Sequence, residues 1–232
     1  MTQNVLVVAA HPDDEVLGCG GTIARHAQQG DRVTCLILGE GLTSRYVTRA
    51  AGLAAADLSD LRDASRRAAD ILGVARLETA EFPDNRFDSV SLLDVVKRIE
   101  AVYSVVQPAL VCTHHPGDVN IDHLVTHRAV LAACRQVPTT SIRGLYFFEV
   151  PSSTEWQTPA LGCPFTPNHF VDISHQLPAK LSALMAYSGE ARAWPHPRSP
   201  DATRALAQWR GATAGVDAAE AFVVGRQVVT QP

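Results

Sequence analysis

His11-Pro12-Asp13-Asp14-Glu15 places an imidazole and three carboxylates within five residues. A helix N-terminus accounts for part of this, because Asp and Glu are favoured there and either aspartate can cap. A cap needs only one carboxylate, however, and has no use for His11. An imidazole with two carboxylates is what a catalytic metal centre needs: two groups bind the ion and a third stays free to move a proton. A second cluster, His114, His115, Asp118, Asn120, Asp122 and His123, crowds ten residues. Capping by Asp122 and solvated histidines would be its plain explanation. Together the two clusters supply two histidines and a carboxylate, the ligand type of a zinc hydrolase with positions left for water and substrate. His127 follows His123 by four residues and shares its helix face. Leu124 stands where a zincin HExxH motif has Glu, so His127 reads as structural or supporting.

These clusters need elements to hold them. Asn4–Ala10 and Arg32–Leu38 are continuous apolar runs of buried-strand length. Further strands are expected at Ala75–Glu81, Ala109–Thr113, Ile142–Val150 and Phe170–Ile173, and Ala221–Val229 reads as an edge strand. Helices are expected at Leu17–Gln29, Leu58–Leu72, Ser91–Val106 and Asp122–Arg135, then near 175–187 and 201–213. Gly73 suits a C-terminal cap, and Pro83-Asp84-Asn85 a turn. The stretch 39–57 reads as a loop with a helical, Ala-rich end. Alternation of this kind implies right-handed βαβ units and one single-domain, Rossmann-like α/β fold over residues 1–232, its mostly parallel sheet covered by helices on both faces. Ligands bind at the carboxyl ends of such strands. The acidic motif follows the first strand, GEGLTSR (39–45) the second, and the histidine cluster the fourth, so all three meet at one rim.

Val5–Gly21, VLVVAAHPDDEVLGCGG, resembles the N-terminal motif of the LmbE-like (PIG-L) zinc-dependent N-deacetylases, and Asp122-His123 within HHPGDVNIDHLVTHRAV resembles their second motif. The tail PHPRSPDATRALAQWRGATAGVDAAEAF is similar to one branch of that family. The resemblance implies that His11, Asp14 and His123 bind Zn2+, that Asp13 is the general base, and that Asp122 orients a ligand. Many members carry His three residues before the third ligand, where it helps the oxyanion; here that position is Asn120. Either Asn120 donates as a neutral amide, or His114, His115 or His196 supplies the imidazole. Glu15 would support the motif's loop. Arg45, Arg62, Arg198 and His196 are the expected substrate contacts, Trp194 and Trp209 could stack on a sugar, and Glu220 resembles a position near the site's rim. The implied reaction removes the acetyl group from an N-acetylglucosamine-type sugar or glycoconjugate. The alternatives are cleavage of another N-acyl or thiol-conjugate amide, and a sugar-binding module without activity.

Composition narrows the classes. The 232 residues are 46% hydrophobic and 19% charged, which excludes a disordered chain. Twenty basic against 24 acidic side chains give a net charge of −4, unlike the basic face that nucleic acid rewards. No apolar run approaches the ~20 residues of a membrane span. The opening residues lack a signal peptide's basic start, so a cytoplasmic location is expected. Five cysteines without a CxxC pair suit reduced thiols. Gly18–Thr22 (GCGGT) invites a dinucleotide-binding reading, but it begins too far past the strand, and the intervening acidic loop would repel pyrophosphate. Its glycines are expected instead to let the first helix approach the sheet. The partner expected is a small molecule; a homo-oligomer is left open.

Overall fold

A computed structural model describes residues 2–54, 57–137, 140–158 and 163–229. The strands are β1 (Asn4–Ala9), β2 (Arg32–Gly39), β3 (Arg76–Phe82), β4 (Leu110–His114), β5 (Gly144–Phe148), β6 (His169–Asp172) and β7 (Ala219–Gln227). They form one sheet in the order β3-β2-β1-β4-β5-β7-β6. The first five are parallel, and β7 pairs antiparallel with both β5 and β6. Helices α1 (Asp14–Gln28), α3 (Asp57–Leu72) and α6 (Leu177–Ala186) cover one face. Helices α4 (Leu92–Val106) and α5 (Ile121–Ala133) cover the other. The short α2 (Arg49–Ala54) lies in the loop after β2, and α7 (Pro200–Ala214) packs beside β7.

The apolar runs explain the layers. Val5 and Val7 of β1 join the core under α1, while Leu6 and Val8 join the core under α4 and α5. A strand buried on both faces has no polar side to show, hence the unbroken run. The glycines of α1 allow close approach to the sheet: a Cβ on Gly18 would meet the Phe148 ring at 2.3 Å, and one on Gly21 would meet Ile173 at 2.7 Å.

Two features depart from expectation. β7 is not an edge strand; it lies between β5 and β6, its first half buried, and β3 and β6 form the edges. Helix α1 starts three residues earlier than its apolar period suggests and is broken at Cys19 (φ −149°). There Lys180 Nζ donates to the Leu17 carbonyl (2.8 Å), and Glu220 accepts the N–H groups of Gly21 (2.8 Å) and Thr22 (2.7 Å). Side chains from distant elements thus satisfy the backbone that the break frees. Glu220 serves this buried knot rather than the rim of a site.

The strand order creates a switch point. From β1 the chain runs outward through β2 and β3, then returns to β4 on the other side of β1. The crevice above the carboxyl ends of β1 and β4 is where such sheets bind ligands.

Candidate metal centre and catalytic cavity

The turn after β1 is tight. Asp13 has φ 96°, a left-handed conformation rare for a residue other than glycine. Its neighbours hold it there. The His11 N–H donates to Asp14 Oδ2 (2.8 Å), and Glu15 Oε2 accepts the Asp13 N–H (3.1 Å). Glu15 Oε1 accepts the Tyr187 hydroxyl (2.6 Å). After β4, the Asn120 side chain caps α5 by accepting the Asp122 N–H (2.8 Å). The starts of α1 and α5 thereby face each other across the switch point.

Three donor atoms converge between them. His11 Nδ1 lies 3.3 Å from Asp14 Oδ2, His123 Nε2 lies 3.2 Å from the same oxygen, and the two ring nitrogens are 3.3 Å apart. Tetrahedral zinc with bonds of about 2.0–2.1 Å requires ligand atoms roughly 3.3 Å from one another. Asp14 Oδ1 is buried without a partner, as a carboxylate awaiting a cation would be. The residues present therefore fit a metal ion. The remaining ring nitrogens are oriented from behind. His11 Nε2 donates to Asp122 Oδ2 (2.9 Å), and Asp122 Oδ1 accepts the Phe87 N–H (2.9 Å). His123 Nδ1 lies 3.0 Å from Asp118 Oδ2. Asp118 in turn accepts the hydroxyls of Ser153 and Thr154 and the Asn120 N–H. Such partners orient the rings so that His11 Nδ1 and His123 Nε2 both face Asp14 Oδ2. A second grouping, His11 with Asp84 and Asp122, also lies within 4.8 Å, but it uses the His11 nitrogen already bonded to Asp122.

Within the cluster, carboxylates and imidazoles stabilise one another's charged forms. Burial pushes the His123 imidazole down, yet Asp14 and Asp118 carry it up to about 9. Burial also opposes the charge on Asp118, but His123 and its hydroxyl partners hold it at about 2. His114 is different. Its Nε2 accepts the Ala10 N–H (2.8 Å), its ring stacks on His123 with centroids 4.0 Å apart, and burial holds it neutral.

Beside the triangle lies a polar cavity of about 140 Å³, lined by His11, Asp13, Arg45, Asp84, Asn120 and Arg198 among others. Asp13 is 1% exposed and does not belong to the donor triangle. Burial raises its pKa well above the usual carboxylate value, against the opposing charge of Arg198, whose Nη1 is 3.2 Å from Oδ2. Arg198 is itself fixed by Ser152 Oγ (2.7 Å). Asn120 Nδ2 donates to Asn85 Oδ1 (2.9 Å) at the same wall.

The other expected contacts divide. Arg45 and Arg198 line the cavity; Arg62 does not, and pairs with Glu81 (2.7 Å) on the exposed surface. His196 stays outside as well: its Nδ1 accepts the Arg198 N–H (3.1 Å), which shapes the loop that presents Arg198. His115 accepts the Gly117 N–H, and His127 donates to the His114 carbonyl (2.9 Å) with its ring against Phe147; neither lines the cavity. Trp194 and Trp209 are exposed and do not line it. Two lining carboxylates had no site role in the sequence. Asp84 sits in a turn beyond β3, at the same rim that singled out the other clusters. Glu190 sits in an irregular loop and carried no signal of its own.

Residues 6–134 match the family described as PIG-L, GlcNAc-PI de-N-acetylase. The chain belongs to the PIG-L family. It is 30% identical over 189 residues to an uncharacterized deacetylase, YaiS, of Escherichia coli, covering 78% of this chain and 89% of that one. It is 32% identical over 209 residues to a 4-oxalmesaconate hydratase of Pseudomonas putida, covering 83% and 76%. The N,N'-diacetylchitobiose deacetylase of Pyrococcus horikoshii shares the fold, with a TM-score of 0.75 at 20% identity over 96% of this chain and 83% of that one. The PIG-L match spans both polar clusters, from β1 into α5. Among the described residues, no helix is long and apolar enough to cross a membrane.

Proposed function

We propose that this PIG-L protein is a zinc-dependent N-deacetylase that hydrolyses the acetamide of an N-acetylglucosamine-type sugar or sugar conjugate, giving acetate and a free amine. The observation that carries this reading is a ready-made triangle of zinc donors with a buried carboxylate, Asp13, beside it and outside it. A bound zinc supplies Lewis-acid polarisation of the amide carbonyl and a water made acidic near neutral pH. Asp13 is placed to take the proton from the attacking water and return it to the leaving nitrogen. Its raised proton affinity suits the second half of that task, and Arg198 supports its charged form for the first. Asn120 lines the cavity with an amide N–H that can turn from Asn85 to the developing oxyanion. Arg45 and Arg198 are the substrate's polar contacts.

Asp13→Ala should retain zinc by elemental analysis and lose roughly 10²-fold or more of acetate release from N-acetylglucosamine compounds. Undiminished turnover in that variant would remove Asp13 from the mechanism. His123→Ala should lose zinc; an unchanged metal content would show the third ligand to be another residue.

A second reading is hydration of an unsaturated carboxylate. It is favoured by the hydratase relative and by two arginines on the cavity wall. The same base and metal would then add water across a carbon–carbon double bond. Loss of the conjugated acid's ultraviolet absorbance, with no acetate released from any amide, would select it.

A further inference from the structure

A second cavity, of about 240 Å³, shares no lining residue with the catalytic cavity and holds no member of the donor triangle. Strands β4 to β7 form its floor, and α1 is the only helix in its walls. The floor is aromatic. The Tyr146 and His169 rings stack with centroids 4.7 Å apart, and Phe222 stands edge-on to them at 6.3 and 6.2 Å. The α1 wall is polar. Thr22 is 5% exposed, and its Oγ1 is buried without a hydrogen-bond partner. One turn on, Arg25 donates from Nη1 to the Asp172 carbonyl (3.0 Å). A guanidinium has five N–H donors, so this bond leaves others for a ligand. Among the described residues no carboxylate lines the cavity, and Asp172 Oδ1 already accepts the Ser174 N–H (2.9 Å) and hydroxyl (2.6 Å).

We infer that this cavity is a binding site for a small aromatic carboxylate, a single ring with a short acidic arm. The ring suits Tyr146, His169 and Phe222, because aromatic pairs gain energy beyond the area they bury. The acid suits Arg25, whose planar fork can hold a carboxylate through two parallel bonds. The Thr22 hydroxyl can donate to the same group and so gain the partner it lacks; buried polar atoms without one are uncommon. Size agrees. An engineered apolar cavity of about 150 Å³ takes a benzene, so this larger one has room for a ring and its arm. A cationic ligand would meet Arg25 with no lining carboxylate to offset it. An aliphatic acid would forgo the contact between rings. Nothing in this assignment depends on which reaction the metal centre performs.

Calorimetry with phenylacetate, and with benzyl alcohol as its uncharged counterpart, tests the site on the full chain. Phenylacetate is expected to bind one per chain and at least tenfold tighter than benzyl alcohol. Arg25→Gln, which can still donate to the Asp172 carbonyl, should weaken phenylacetate at least tenfold. Thr22→Val keeps the shape and removes only the hydroxyl, and should weaken it roughly two- to tenfold. Both variants should melt near the wild-type temperature, which separates a lost contact from a lost fold. Val171→Trp, which fills the cavity from β6, should abolish binding. Arg45→Gln, on the wall of the catalytic cavity, should leave it unchanged. No saturable binding by the wild type overturns the site. Binding that Arg45→Gln abolishes and Arg25→Gln spares also overturns it, by placing the carboxylate in the catalytic cavity. A dimer in sedimentation that takes no phenylacetate and that Val171→Trp dissociates gives the cavity to a second copy of the chain, and overturns it too.

Discussion

Asp13 and Asp14 are chemically identical neighbours whose roles separate because the backbone turns between them. The left-handed conformation of Asp13 aims one carboxylate at Arg198 and the cavity, the other at two imidazoles. The same dependence on surroundings governs the cysteines, all five of which are unpaired thiols. Burial pushes Cys112 and Cys134 up to about 12 and raises Cys19 and Cys35 well above the ordinary thiol value, whereas Cys163 is exposed. Only the thiolate attacks, so at pH 8 a thiol with a pKa near 12 presents on the order of 10⁻⁴ of its population, and burial blocks access besides. Titration of the native protein with a chromogenic disulfide should therefore show one fast thiol per chain, removed by Cys163→Ser. The others should react at the rate of global opening. Two or more fast thiols in the native state would show that the core opens locally, on the α1 side if Cys19, Cys35 or Cys112 reacts and on the α4 and α5 side if Cys134 does.

At the scale of elements, α5 shows how a cap and a site can share a residue. Asn120 Oδ1 closes the helix start while Nδ2 faces the cavity. Asn120→Ala should lose about 1 kcal/mol of stability with the cap. It should also lose roughly 10²–10³ in kcat if the amide serves the oxyanion. Asn120→Asp keeps the acceptor and suits the helix dipole, so its melting temperature should stay near wild type while kcat falls as far. An aspartate variant with normal kcat would show that another group stabilises the oxyanion. Elements were legible in proportion to how local their causes are. The apolar runs of β1, β2, β4 and β5 and the helical repeat of α4 sit in contiguous sequence, and so do the two clusters that supply His11, Asp14 and His123. The break at Cys19 was not legible, because its cause is Lys180 and Glu220, about 160 and 200 residues away. The place of β7 was hidden for the same reason: a short apolar run says nothing of which strands flank it. Arg45 and Arg62 look alike in sequence, and only the fold sends one to the cavity and the other to Glu81.

At the scale of the molecule, the donor triangle joins parts of the chain that share no local contact. His11 and His123 are 112 residues apart and meet only because β1 and β4 are adjacent at the switch point. An unfolded chain cannot present that triangle, so zinc should bind the native state almost exclusively and stabilise it by mass action. At a free zinc concentration about 100 times the dissociation constant, the gain is about 2.7 kcal/mol. For a chain of this length each kcal/mol moves the melting temperature by roughly 2–4 °C, so loading should raise it by about 5–10 °C. Chelation should reverse the shift and a second addition of zinc restore it. His123→Ala should melt at one temperature with or without zinc, whereas Asp13→Ala, which leaves the triangle whole, should keep the full shift. If His123→Ala also kept it, the stabilising ion would bind elsewhere. The His11–Asp84–Asp122 grouping would then be the site to test, through Asp84→Asn, which leaves every donor of the first triangle in place.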